Sequence, residues 1–151
     1  MGPGLATHPV KARPWVMLFV DDEPDIRDAI KSLVETTVPG VQVVTASSGR
    51  SALEILGRER IDLIMSDFKM PGMDGIEFLF QARRLHPNIP RIMFTAFQSE
   101  DLARRALVET MVSAFLSKTV PPDEMVERIT ALLDYVPGAE AVPDGPPPVA
   151  G

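Results

Sequence analysis

Four groups in this chain have the types and the setting to act together: Asp21-Asp22-Glu23, Asp67, Thr95 and Lys118. Each follows an apolar run. Adjacent carboxylates repel, and one is driven toward protonation unless a cation is near. A hard divalent ion with oxygen ligands relieves that repulsion, and Mg²⁺ takes one or two protein carboxylates together with waters and phosphate oxygens. Asp22 and Asp67 are natural direct ligands, with Asp21 acting through water, and a backbone carbonyl just after Asp67 could add an oxygen. A carboxylate can also serve as a nucleophile and form an aspartyl phosphate. Phosphoryl transfer then needs mainly positioning and neutralisation of the equatorial oxygens, which a metal, the Lys118 ammonium and the Thr95 hydroxyl can divide among them. In "MSDFKMPGMDG" (65–75), Gly72 and Gly75 let the chain after Asp67 turn tightly and Pro71 stiffens it.

The elements that must carry these groups alternate along the chain. "WVMLFV" (15–20) is a continuous apolar run, the mark of a strand covered on both faces. "PDIRDAIKSLVE" follows, with Pro24 suited to the first helical position and Ile26, Ala29, Ile30, Leu33 and Val34 at helical spacing. "VQVVTA" (41–46) is a more mixed β-branched strand, placed near an edge. "GRSALEILGRE" is a helix with Ala52, Ile55 and Leu56 inward. "IDLIMSD", "GIEFLFQARRL", "RIMFTA" (91–96), "SEDLARRALVE", "SAFLSK" (113–118) and "PDEMVERITALLDYV" complete five strand–helix units. Such alternation implies βαβ crossovers, hence an α/β fold with a parallel sheet and helices on both faces. Ligands of such sheets bind beyond the carboxyl ends of the strands. The reactive side chains sit at the tips of strands one, three, four and five.

Taken singly, each residue has an ordinary reading. Asp67 could be a turn former, the Asp-Asp-Glu run a solvated helix start, Lys118 a surface charge and Thr95 a good strand residue. Their joint placement on one sheet edge is what carries weight.

Composition narrows the function classes. The chain has 151 residues, 45% of them hydrophobic and 24% charged, enough for one core without staples. There is no cysteine, which removes disulfides and thiolate metal sites. The formal charge of −6 argues against non-specific binding of nucleic acid. Six residues is the longest apolar run, far short of a membrane span, and the N-terminus lacks the pattern of a signal peptide. Residues 1–13 and the Pro-rich 137–151 are expected to be flexible tails or a linker around a folded unit at 14–136. His8 and His86 have no ligand partners in the sequence.

With "DDE", "SDFKMPGMDG", "FTA" and "FLSK" in this order, residues 15–136 resemble the receiver domain of two-component response regulators, the CheY-like superfamily. The resemblance implies a flavodoxin-like, doubly wound five-stranded sheet of order 2-1-3-4-5. It also implies a cytoplasmic, phosphorylation-operated signalling switch rather than an enzyme. Asp67 would accept the phosphoryl group from a sensor histidine kinase or a histidine phosphotransfer protein. Mg²⁺, or Mn²⁺, would be held by Asp21, Asp22, Asp67 and the backbone carbonyl of Lys69. Lys69, Thr95, Ala96 and Lys118 would contact the phosphoryl group, Lys69 and Phe97 would flank its pocket, and Thr95 and Phe115 would form the switch. The output surface would lie around the helix at 99–109, the fifth strand and the last helix. A downstream protein or an output domain would read it, and homodimers through that face are frequent in the family.

The chain departs from the family where Lys-Pro with a cis bond is usual: Thr119 follows Lys118. Either a trans bond with a reshaped loop or a strained cis bond is expected, the latter costing about 3–4 kcal/mol. The switch aromatic is Phe rather than Tyr. An Asp-nucleophile phosphatase and a receiver-shaped module that is never phosphorylated are the alternatives. The first places its nucleophile on the first strand, and the second usually lacks one of the acidic or lysine residues present here. No Gly-rich loop follows the first strand, which excludes a nucleotide-binding domain.

Overall fold

The computed structural model describes residues 14–96, 101, 105, 108 and 110–134. The tails expected over 1–13 and 137–151, Phe97, and most of the stretch 99–109 lie outside the described residues. The elements are β1 (Trp15–Val20), α1 (Pro24–Thr37), β2 (Val41–Ala46), α2 (Gly49–Arg58), β3 (Leu63–Ser66), α3 (Gly75–Leu85), β4 (Arg91–Thr95), β5 (Ala114–Ser117) and α4 (Pro122–Asp134). Between β4 and β5, Asp101, Arg105, Val108 and Thr110 are helical. No helix among the described residues is long and apolar enough to cross a membrane.

All strands pair in parallel in the order β2-β1-β3-β4-β5. Strand alternation divides the apolar residues between two faces. Leu18, Val20, Ile64 and Met93 pack under α2 and α3 through Ala52, Ile55, Leu56, Ile76, Phe78 and Leu79. Met17, Phe19, Leu63, Met65, Ile92 and Phe94 pack under α1 and α4 through Ile30, Val34, Met125 and Ile129. This is why the strands read as near-continuous apolar runs: both faces are covered. Ala29, grouped with Ile26 and Ile30 by helical spacing, is exposed instead. Only Ile30 and Val34 of that set are fully buried, because α1 turns a narrow stripe to the sheet.

The edge position expected for "VQVVTA" is observed, and α1 covers that edge. Glu35 Oε2 accepts the Val43 N–H at 2.7 Å, and Lys31 Nζ donates to the Val43 carbonyl at 2.8 Å. The two side chains pair at 2.9 Å. They occupy backbone groups that a foreign strand would otherwise use.

Arg91 was unremarkable in the sequence and is a hub in the fold. Its buried guanidinium donates to the carbonyls of Thr110 (3.1 Å), Met111 (3.1 Å) and Ile89 (2.7 Å). A cation there offsets the negative end of a helical stretch and helps fix Met111, whose φ of 50° is left-handed.

Candidate functional site

The strand tips gather at the carboxyl edge of the sheet, as the alternation requires. Asp21 leaves β1 and its N–H donates to the Ala46 carbonyl at 3.1 Å, while the Asp67 N–H donates to the Val20 carbonyl at 2.9 Å. The backbone therefore sets both carboxylates before any side-chain contact is made. Asp21 is fully buried and Asp67 nearly so. One oxygen from each of Asp21, Asp22 and Asp67 lies within 4.8 Å of the others. Asp21 Oδ1 accepts the Glu23 N–H at 2.9 Å, and Asp67 Oδ1 accepts the Phe68 N–H at 2.8 Å. The remaining oxygens face Lys118: Nζ stands 2.9 Å from Asp21 Oδ2 and 3.3 Å from Asp67 Oδ2.

Charge and burial oppose each other here. Burial pushes the Asp67 carboxyl above the usual carboxylate range, the Lys118 ammonium pulls it back, and Asp21 pushes it up again. Burial alone would lower Lys118, but its contacts with Asp21 and Asp67 outweigh that and hold it above the ordinary lysine value. Asp21 Oδ2 is buried and has the ion pair without an aligned hydrogen bond. A buried anionic oxygen left with acceptor capacity, beside two more carboxylates, fits a hard, oxygen-seeking divalent cation.

The loop after Asp67 is shaped by backbone geometry. Gly72 has φ of 79°, which favours glycine. The Gly75 N–H donates to the Phe68 carbonyl at 2.7 Å. A Cβ on Gly75 would stand 2.8 Å from Phe68 Cα and overlap the Asp67 carbonyl oxygen. Asp74 caps α3 by accepting the Glu77 N–H at 2.9 Å. The start of α3 is thus seated directly against the Asp67 backbone, a close approach signalled in the sequence only by "DG".

The other candidates sit as follows. Thr95 is fully buried at the end of β4, opposite Ser117 of β5. Lys69 and Ala96 are exposed on the loops beyond β3 and β4. Phe115 is half-buried and packs against the cluster beneath α2 and α3. The Lys118–Thr119 bond is trans, since the described residues contain no cis peptide bond. No sequence signal marks what holds this turn: Ser117 Oγ accepts the Thr119 N–H at 3.0 Å and lies 2.8 Å from the Thr119 hydroxyl.

A family model described as the response regulator receiver domain matches residues 17–130. The cyclic di-GMP phosphodiesterase response regulator RpfG of Xanthomonas campestris is 34% identical over 83% of this chain, which spans 34% of that protein. The transcriptional regulatory protein GlrR of Escherichia coli is 34% identical over 81% of this chain, which spans 27% of it. The chain thus covers about a third or less of the length of these two relatives. It covers 93% of sporulation initiation phosphotransferase F of Bacillus subtilis, at 33% identity over 80% of its own length. Among solved structures, the CheY-like response regulator receiver domain protein of Methanospirillum hungatei superimposes with a TM-score of 0.75. Its identity is 30%, over 80% of this chain and 94% of that one.

Proposed function

The chain belongs to the response regulator receiver domain family of two-component systems, and from that premise we propose that it is a phosphorylation-operated switch with Asp67 as the phosphoryl acceptor. The observation that carries this reading is the meeting of Lys118 with Asp21 and Asp67, at 2.9 and 3.3 Å, beside a third carboxylate. A structural salt bridge needs one carboxylate per ammonium. Three carboxylates around one lysine leave excess negative charge, suited to a cation and an incoming phosphoryl group.

The donor is a phosphohistidine on a sensor kinase or phosphotransfer protein. An Asp67 oxygen attacks phosphorus in line, a new O–P bond forms, the N–P bond breaks and the imidazole leaves with its electron pair. Lys118 stands where its ammonium can transfer from Asp67 to a phosphoryl oxygen, and Lys69, Thr95 and Ala96 hold the others. Asp21, Asp22, Asp67 and the Lys69 carbonyl would hold Mg²⁺ or Mn²⁺, which when bound neutralises the charge that develops on those oxygens.

Once phosphorylated, the Thr95 hydroxyl is drawn toward the new group. Thr95 is buried and its strand neighbour β5 carries the half-buried Phe115. Moving the hydroxyl frees space that the aromatic ring can enter, so two packings compete. The phosphoryl group shifts their populations by the difference in its contacts with each. The surface of the helical residues before β5, of β5 and of α4 is then read by a downstream protein or output domain.

Incubation with acetyl phosphate, with and without Mg²⁺, followed by intact mass measurement tests the switch. The expected result is a Mg²⁺-dependent gain of one phosphoryl group that Asp67→Asn abolishes. No gain with any donor would overturn the reading.

A further inference from the structure

We propose that Ser117 is a positioning residue for Lys118, acting through the turn it closes with Thr119 and Val120; this rests on the switch reading above. Lys118 is the first residue past the edge strand β5, and no proline fixes its path. Three successive amides are fastened instead. The Lys118 N–H donates to the Thr95 carbonyl at 2.9 Å, and the Val120 N–H to the Ser117 carbonyl at 3.0 Å. Between them, the Thr119 N–H donates to Ser117 Oγ at 3.0 Å, and the two hydroxyls share a hydrogen at 2.8 Å. Two of the three bonds end on Ser117.

A lysine has four rotatable side-chain bonds, so its reach is decided by where its Cα is held. From this turn the ammonium reaches both carboxylates, with Nζ 5.9 Å from the centroid of the Phe94 ring. The hydroxyl pair is exposed, so it contributes little to the core. Ala114 and Leu116, on the inward side of β5, are packed independently of it. Its consequence is directional: with the Ser117 hydroxyl gone, the Thr119 amide turns to water and the backbone carrying Lys118 gains freedom. A proline at position 119 could not make this contact, because it has no N–H to donate.

The test is the rate of acetyl phosphate labelling at Asp67, read by intact mass in a double-mutant cycle. Ser117→Ala is expected to slow labelling about fivefold, the scale of one lost hydrogen bond. Ser117→Thr keeps the hydroxyl and is expected to label at nearly the wild-type rate. In a Lys118→Met background, Ser117→Ala is expected to add nothing, because its effect runs through Lys118. In Ser117→Ala, Mg²⁺ binding is expected to tighten no further than in Lys118→Met, since the carboxylates are untouched and only the ammonium is loosened. Thr119→Val, which keeps the amide and the side-chain volume, serves as a second variant if Ser117→Ala lowers the thermal midpoint. Slowing of the same size with and without Lys118, no slowing at all, or failure of Ser117→Thr to restore the rate would each overturn the positioning role. Wild-type labelling at Asp67 accompanied by any of these outcomes leaves the switch standing. Absence of wild-type labelling removes both.

Discussion

Lys118 Nζ stands 2.9 Å from Asp21 Oδ2, closer than its 3.3 Å from Asp67 Oδ2. In the resting site the ammonium is parked on a carboxylate of the cation cluster rather than on the phosphoryl acceptor alone. Lysine and cation therefore share one patch of negative charge. Lys118→Met is expected to tighten Mg²⁺ binding about three- to tenfold at low salt, and less at high salt as screening grows. Labelling by acetyl phosphate is expected to slow in the same variant. Titration calorimetry checks the first effect; weaker Mg²⁺ binding would show that Lys118 organises the carboxylates rather than competing for them.

Asp67 is held above the usual carboxylate range chiefly by burial, with Asp21 adding to it and Lys118 opposing. An acid whose folded value is raised destabilises the fold while it is ionised, and that penalty fades as pH falls through the folded value. Asp67→Asn is therefore expected to raise the thermal midpoint at pH 7 in the presence of a chelator. Its advantage should shrink toward the unfolded carboxylate value, about pH 4. Adding Mg²⁺ should narrow the gap from the wild-type side. Melting curves at the two pH values decide it, and a lower midpoint for Asp67→Asn at pH 7 would contradict the assignment of strain to this carboxylate.

Gly75 lets α3 start against the Asp67 backbone, where a Cβ would overlap the Asp67 carbonyl oxygen. Gly75→Ala gains about 1 kcal/mol of helix propensity at most. Overpacking against backbone costs about 1–3 kcal/mol, and backbone cannot swing aside as a side chain does. Urea unfolding should show a net loss of stability, and labelling should slow because the nucleophile is displaced. A stabilised Gly75→Ala variant would refute the close seat.

Val43 Cα pairs with Met17 Cα of β1, yet its own N–H and carbonyl are held by Glu35 and Lys31 of α1. The Val43 N–H first, and then Lys31, hold the Glu35 carboxyl below the usual range. The sign is that of a depressed acid: its contribution is complete above the unfolded value and is lost as pH falls through the folded one. Hydrogen exchange at the Val43 amide is expected to quicken in Glu35→Gln at pH 7, and in the wild type only in acid. Equal protection in both proteins at pH 7 would mean that the edge needs no such cover.

Much of this was legible in the sequence because it depends on local pattern. Short, near-continuous apolar runs mark the strands and period-3.6 hydrophobicity their helices, and a parallel sheet then sends every strand tip to one edge. That logic alone brings Asp21, Asp22, Asp67, Thr95 and Lys118 together. Features built from pairings distant in sequence were not legible. Arg91 looks like any residue at a strand start; of the carbonyls it meets, those of Pro87 and Ile89 are near in sequence, but those of Thr110 and Met111 arrive only when the chain folds back over it. The seat of Gly75 on Asp67 depends on the loop's path, and the Ser117–Thr119 bond on a turn that composition does not specify. Strand ends differ by a residue or two. The sequence predicts a strand over 61–67 and β3 runs over Leu63–Ser66, although the Asp62 and Asp67 amides on either side still donate to the Val16 and Val20 carbonyls of β1.

The switch depends most directly on where phosphate goes. Borohydride reduces an aspartyl phosphate to homoserine, so wild-type protein labelled by acetyl phosphate with Mg²⁺, reduced and sequenced by tandem mass spectrometry, reports the acceptor. Homoserine at position 67, absent when Mg²⁺ is withheld, is the expected result. Homoserine at another position, or none in protein shown to be folded and cation-bound, would contradict it.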